Sequence, residues 1–172
     1  MQIDYELTSE YFDQHGNSLY NLCKHPTLLV FLRHQGCTFC RETVSELKEH
    51  EELFETTGIK IAFVTMSPEQ KAQPFFAEYG FEEASRFSDS SQRLYAAFNL
   101  KKGGVSELFS PEVLLRGLKA GLLDNHGLGK PEADVSQLPG TFLISDFRII
   151  EAFRAKIASD KADYSSMACA LV

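Results

Sequence analysis

A short apolar run followed by two cysteines constrains this chain more than any other feature. Residues 28–32, Leu-Leu-Val-Phe-Leu, have the length and composition typical of a strand that is buried on both faces. A polar turn at 33–36 separates this run from the motif Cys-Thr-Phe-Cys at 37–40. Helical spacing of apolar residues begins at the motif and continues to Gly58. The sequence therefore predicts a strand, a tight loop and a helix over residues 38–57.

A cysteine at the start of a helix lies among unpaired backbone N–H groups and at the positive end of the helix dipole. Both features stabilise a thiolate, which is the nucleophilic form of the side chain. Arg33 and Arg41 add positive charge nearby. Cys40 lies one helical turn beyond Cys37, close enough to attack a mixed disulfide there and to form an intramolecular disulfide. We therefore predict that Cys37 is the nucleophile and that Cys40 is the resolving thiol.

Composition narrows the class of protein. The chain has 172 residues, 44% of them hydrophobic, which suits one domain with a sizeable core over residues 1–172. A formal net charge of -7 argues against binding to nucleic acid or to an anionic membrane surface. Neither a membrane-spanning apolar run nor a signal peptide is recognisable, so a cytoplasmic location is expected. We expect no cofactor and no metal.

Three interpretations of the CxxC motif remain open: redox chemistry, half of a zinc site, and a redox-inactive fold used as a binding module. Redox chemistry is favoured, because zinc usually needs two such ligand pairs and Cys23 and Cys169 are single and distant. Cys23 is predicted to be a buried, inert thiol. Cys169 is an alternative resolving thiol. His34 is either a base for Cys37 or, as favoured here, a solvated turn histidine.

The order of the predicted elements defines the fold class. Strands alternate with helices and the chain closes with a hairpin, which predicts an α/β fold with a central mixed sheet flanked by helices. The predicted strands are 28–32, 59–66, 85–88, 141–145 and 148–155, and the tail from 159 to 172 is predicted to contain a last helix. Residues 105–137 are predicted to form an insert before the hairpin, with a helix from Ser110 and a long loop over 124–137.

This order, with CxxC at the end of the first core strand, is similar to the thioredoxin fold. In thioredoxin-like proteins a cis-proline loop lies beside the CxxC motif, and Pro139 is the candidate here. Three segments also resemble the peroxiredoxin-like branch of the alkyl hydroperoxide reductase and thiol-specific antioxidant family. The segments are 30–42, 137–144, and 153–156 with Asp160 and Ala162, and the resemblance covers roughly residues 25 to 165.

The resemblance implies an antioxidant oxidoreductase, with differences from typical peroxiredoxins. Those enzymes have a Thr or Ser three residues before the peroxidatic cysteine and a Pro seven residues before it. His34 and Val30 hold these positions relative to Cys37, and Pro139 and Gly140 stand where a second arginine is expected. We therefore expect thiol–disulfide oxidoreductase activity through a Cys37–Cys40 dithiol–disulfide cycle. Reduction of hydroperoxides is the alternative.

The resemblance also implies partners. These are a thioredoxin- or glutathione-type reductant and a substrate that is a peroxide or a protein or small-molecule disulfide; a homodimer is compatible with it. The residues expected to bind substrate or partner are Thr38, Phe39, Pro139, Gly140 and Thr141. The residues expected to tune the thiols are Arg33, His34 and Arg41.

Overall fold

The computed structural model describes residues 2–104, 113, 134 and 136–171. In chain order the elements are α1 (Tyr5–Thr8), α2 (Leu19–Leu22), β1 (Thr27–Phe31), α3 (Thr38–Glu49), α4 (Glu51–Thr56), β2 (Lys60–Thr65), α5 (Glu69–Glu78), β3 (Ser85–Ser88), α6 (Arg93–Ala97), β4 (Gly140–Ser145), β5 (Arg148–Arg154) and a last helix, α7 (Tyr164–Cys169). The predicted strands are confirmed, with ends that shift by at most one residue.

The five strands form one mixed sheet in the order β3-β2-β1-β4-β5. Strand β1 lies at the centre, parallel to β2 and antiparallel to β4. Because β1 and β4 run in opposite directions, the last residue of β1, Phe31, pairs with the first residue of β4, Gly140. The sheet therefore brings the loop that carries Cys37 next to the segment that carries Pro139.

Strand β1 is buried on both faces, as its continuous apolar sequence predicts. Leu28 and Val30 belong to a hydrophobic cluster that includes residues of α3, α5 and α7. Leu29 and Phe31 belong to a second cluster, which includes residues of α2 and α6. Alternate side chains of one strand thus reach two layers of the core.

The prediction of one helix over residues 38–57 is wrong in one respect. The backbone leaves the helical conformation at His50, which has φ -97° and ψ 3°, so that α3 ends and α4 begins there. The predicted tail helix is shorter than its sequence window. It begins after Asp163, whose carboxylate accepts a hydrogen bond from the Ser166 N–H and so defines its start.

Most of the predicted 105–137 insert lies outside the described residues, including the helix expected from Ser110. Of the segment, the structure describes Val113, Asp134, Ser136 and Gln137. The division of the chain into one domain with this insert therefore stays a prediction. Among the described helices, none has the length and apolar character that crossing a membrane requires.

A candidate dithiol site at the start of helix α3

Cys37 is the residue that immediately precedes α3. Its backbone is extended, with φ -81° and ψ 120°, and the helix begins at Thr38. The N–H groups of Phe39 and Cys40, in the first turn, lie on the side of the Cys37 sulfur and lower its pKa. These donors have no intrahelical partner because they belong to the first turn, so they are available to a thiolate. The predicted position of the motif is confirmed.

Arg33 contacts both cysteines. Its Nη1 lies 3.4 Å from Cys37 Sγ, and its main-chain N–H donates to Cys40 Sγ over 3.2 Å. Its Nε donates to the main-chain carbonyl of Gln137 over 3.0 Å. All three side chains, of Arg33, Cys37 and Cys40, are buried. The guanidinium therefore acts on the sulfur of Cys37 with little screening by water.

The two thiols have opposite pKa shifts. The pKa of Cys37 falls to about 6, mainly because the Cys40 thiol donates a hydrogen bond to it; Arg33 and the two backbone donors also lower it, while burial opposes the shift. The pKa of Cys40 is raised well above its ordinary value, first by burial and then by the hydrogen bond to Cys37 and the charge there. At neutral pH this arrangement holds Cys37 as a thiolate and Cys40 as a thiol.

Two buried tyrosines that the sequence did not single out lie close to Cys40. Tyr95 donates through its hydroxyl to the carbonyl of Leu32 over 2.5 Å and to that of Val64 over 3.2 Å. Tyr164 is also buried, and burial raises its pKa to about 12, while Thr43 and Thr141 lower it. No local pattern in the sequence shows that the Tyr95 hydroxyl reaches the end of β1.

The segment 139–141 lies beside the dithiol, because Gly140 pairs with the last residue of β1, and the sequence leaves the isomer of the bond before Pro139 open. Among the described residues every peptide bond is trans, including the bond before Pro139. Main-chain bonds hold this segment extended: the Leu138 N–H donates to Lys101 and the Pro139 carbonyl accepts from Ala155. Thr141 is buried, and Gly140 has Leu100 and the Phe153 carbonyl so close that a Cβ would overlap them.

The remaining predicted site residues differ in their surroundings. Thr38 is buried in the first turn of α3, and Phe39 is half-buried against the core cluster. The favoured prediction of a solvated His34 is wrong, because this side chain is buried. Arg41 donates to the Gln35 carbonyl, approaches Glu78 at 3.8 Å and lies over the Phe75 ring, so its guanidinium is held on the side of α5.

The other two cysteines, Cys23 and Cys169, lie outside the motif and differ from its thiols in their surroundings. Cys23 is fully buried, as predicted, and burial raises its pKa to about 12. Cys169 is exposed at the end of α7. In the described part of the chain, no three His, Cys, Asp or Glu side chains cluster in a way that could hold a metal ion.

The fold and the site define a thioredoxin-like protein with two adjacent thiols at a helix start. Solved structures support the fold. Peroxiredoxin Q of Xanthomonas campestris aligns over 98% of this chain and 94% of its own, with a TM-score of 0.65 and 18% identity. Peroxidoxin BcpB of Mycobacterium tuberculosis aligns over 94% of this chain and 89% of its own, with a TM-score of 0.61 and 18% identity.

The chain belongs to the AhpC/TSA antioxidant enzyme family, whose model matches residues 45–156, well over half of the sequence. A prostamide/prostaglandin F synthase of Salmo salar is 32% identical over 77 residues. That alignment covers 45% of this chain and 38% of the relative. The family match begins after both cysteines of the motif, so their roles rest on their geometry.

Proposed function

We propose that the protein is a two-cysteine thiol peroxidase that reduces hydroperoxides through Cys37. The observation that carries this proposal is the Arg33 guanidinium 3.4 Å from the Cys37 sulfur in a nearly closed site, where Cys37 is only 6% exposed. Attack on a disulfide requires three sulfur atoms to align, which needs open approach to the nucleophile. A hydroperoxide is narrower than a disulfide and has its O–O bond at the end of the molecule. It is therefore the substrate that a nearly closed site favours.

The proposed reaction starts with attack of the Cys37 thiolate on the terminal peroxide oxygen. The S–O bond forms as the O–O bond breaks, and the departing alkoxide takes a proton to give an alcohol. Cys37 is then a sulfenic acid without charge. Because the charge on Cys37 is one cause of the high pKa of Cys40, its loss favours the Cys40 thiolate. That thiolate attacks the Cys37 sulfur, forms the disulfide and releases water.

Two further electrons are needed to restore the dithiol. We propose that they come from a dithiol or two monothiols, of the thioredoxin or glutathione type, whose oxidation to a disulfide balances the cycle. This chemistry belongs in a reducing compartment, and a cytoplasmic location is proposed on that ground. A homodimer stays a proposal with no further support. The name of the salmon relative makes prostaglandin substrates worth including beside simple hydroperoxides.

Thiol–disulfide exchange is the second candidate function. It is favoured by the unequal thiols of Cys37 and Cys40, an asymmetry that suits disulfide reduction as well as peroxide reduction. Phe39 and Pro139 are only half-buried and flank the helix start, where they could contact the chain of a protein substrate. The two functions therefore use the same residues. They differ in whether a disulfide, as well as a hydroperoxide, can reach the Cys37 sulfur.

The deciding experiment measures peroxide consumption and insulin reduction on one preparation, with thioredoxin and with glutathione as reductant. We expect peroxide turnover that Cys37→Ser abolishes. Cys40→Ser should turn over poorly and accumulate sulfenic acid or mixed disulfide on Cys37, detected by mass spectrometry. Cys169→Ser is the matched control for loss of a thiol and should behave as wild type. Insulin reduction without peroxide turnover would select the second function. Full activity of Cys37→Ser would refute both.

A further inference from the structure

Gln137 is a buried polar residue whose position in the chain gives no hint of a role. Its side chain is 1% exposed. The amide nitrogen lies within hydrogen-bond distance of three main-chain carbonyls, those of Leu100 at 3.4 Å, Lys101 at 3.2 Å and Leu138 at 3.1 Å. The side-chain amide has two N–H donors for these three acceptors. It therefore connects the segment after α6, which contains Leu100 and Lys101, to the segment before β4, which contains Leu138.

The main-chain carbonyl of the same residue points to the active site. It accepts the hydrogen bond from Arg33 Nε at 3.0 Å, and the other arm of that guanidinium reaches Cys37 Sγ at 3.4 Å. A guanidinium is planar and rigid, so fixing one edge of it fixes the direction of the other. The position of the Gln137 backbone therefore determines where the positive charge of Arg33 lies relative to the sulfur.

We propose that Gln137 is a positioning residue for the Cys37 nucleophile, since its side chain holds the carbonyl that aims Arg33 at the sulfur. This inference rests on the proposed function, because it assigns a role within that site. Gln137 contacts neither the sulfur nor any reacting atom through its side chain. Gln137 and Arg33 are 104 residues apart in sequence, and the pairing of β1 with β4 brings them into contact.

The neighbouring segment supports this assignment. Asp134 accepts hydrogen bonds from the Ser136 N–H and from Gln92, and it pairs with Lys102 at 2.7 Å. The Leu138 N–H donates to the Lys101 carbonyl. These contacts connect the same two segments from the solvent side, whereas Gln137 connects them from the buried side. Of these described residues, Gln137 is the one whose main chain also bonds Arg33.

The test compares Gln137→Met with Arg33→Met and with the double variant, all in a Cys169→Ser background. Methionine keeps the volume of the glutamine side chain and removes its amide. The readout is the rate of Cys37 alkylation by iodoacetamide against pH, with the modified peptide identified by mass spectrometry. Among the described residues, the ionised and titratable groups that act on the pKa of Cys37 are Cys40 and Arg33, and both remain in the Gln137 variant.

We expect Gln137→Met to raise the pKa of Cys37 by up to about one unit, which at pH 6 lowers the thiolate fraction and the rate roughly fivefold. In the Arg33→Met background the same change should have no further effect, since the guanidinium through which it acts is absent. Equal shifts in both backgrounds, or no shift in either, would overturn the proposal.

A control separates positioning from simple loss of stability. Arg86→Met removes a buried guanidinium that bonds Glu69 and the carbonyls of Phe81 and Glu82, away from the dithiol. It should lower the urea midpoint without moving the pKa of Cys37. If Gln137→Met folds poorly, Gln137→Asn provides the same comparison with the amide on a shorter side chain. An ordinary pKa for Cys37 in the wild type would instead refute the proposed function, so the two failures are distinguishable.

Discussion

Arg33 contacts Cys37 across the turn that joins β1 to α3, with Nη1 3.4 Å from Sγ. Both side chains are buried, and the main chain of the same arginine donates to the sulfur of Cys40. One residue therefore acts on both thiols, through its charge on both and through its backbone N–H on Cys40. Together with the hydrogen bond from the Cys40 thiol, which is the main cause, this arrangement explains how a buried cysteine has a lowered pKa despite the cost of burying a charge.

The first prediction concerns the charge of Arg33. Arg33→Met removes the cation beside the thiolate, so the pKa of Cys37 should rise from about 6 and its alkylation rate at pH 6 should fall about tenfold. Arg33→Lys should give an intermediate value, because lysine keeps the charge without the second arm of the guanidinium. Arg93→Met, which removes an exposed arginine paired with Glu10, controls for net charge and should leave the rate unchanged. A wild-type rate in Arg33→Met would contradict the prediction.

The second prediction concerns the dependence of stability on pH. The pKa of Cys37 is about 6 in the folded protein against an ordinary value of 9.0, so folding releases a proton between these values. The stabilisation is complete above pH 9 and is lost as the pH falls towards 6, with a slope approaching about 1.4 kcal/mol per pH unit. Urea unfolding of the reduced protein at pH 6, 7 and 8 measures this slope.

Cys37→Ser is the control for that slope, because every other titrating group remains. The free energy of unfolding should rise with pH more steeply for the wild type than for this variant. Parallel curves would show that Cys37 is not ionised in the folded protein at neutral pH.

The third prediction concerns Gly140. A Cβ at this position would lie 3.0 Å from the Phe153 carbonyl and closer still to Leu100. Gly140→Ala should therefore destabilise the protein by about 1–3 kcal/mol, the usual cost of overpacking, and should disturb the pairing of β4 with β1 beside the dithiol. Gly16→Ala is the comparison: Gly16 has φ +82° but open space around it, so its cost is backbone strain alone. Urea unfolding and Cys37 alkylation of both variants test whether only Gly140 affects the site.

The fourth prediction concerns Tyr95. Its buried hydroxyl donates to the carbonyls of Leu32 and Val64 at the ends of β1 and β2. Tyr95→Phe removes this donor and should cost about 1–2 kcal/mol of stability. Tyr5→Phe, at a side chain that is 62% exposed, should cost much less. Equal urea midpoints for the two variants would show that the hydroxyl of Tyr95 contributes little.

Local sequence was sufficient for several features because short-range physics decides them. The apolar run at 28–32 predicted a central strand, and the polar turn and CxxC motif after it predicted the helix start at Thr38. The burial of Cys23 also followed from residue type. By contrast, the spacing of apolar residues across 38–57 did not show the break at His50, since both helices keep the same face buried.

The features that the sequence did not show depend on contacts that form only in the packed structure. His34 belongs to a polar turn, and only the packed structure buries it. The trans bond before Pro139 accompanies main-chain contacts with Lys101 and Ala155, which are distant from it along the chain. Arg41 is one residue from Cys40, yet its guanidinium is held by Gln35 and Glu78 instead.

The sequence by itself determined the strand, the turn and the two thiols at a helix start, since hydrophobic patterning and helix geometry act over a few residues. Only the tertiary structure decided which groups surround those thiols. Pairing of β1 with β4 places Gln137 against Arg33, and the packing of α6 and α7 places two tyrosines near Cys40. Such contacts depend on how distant segments meet, and the chemistry of a buried sulfur depends on them because electrostatic interactions are strong where water is excluded.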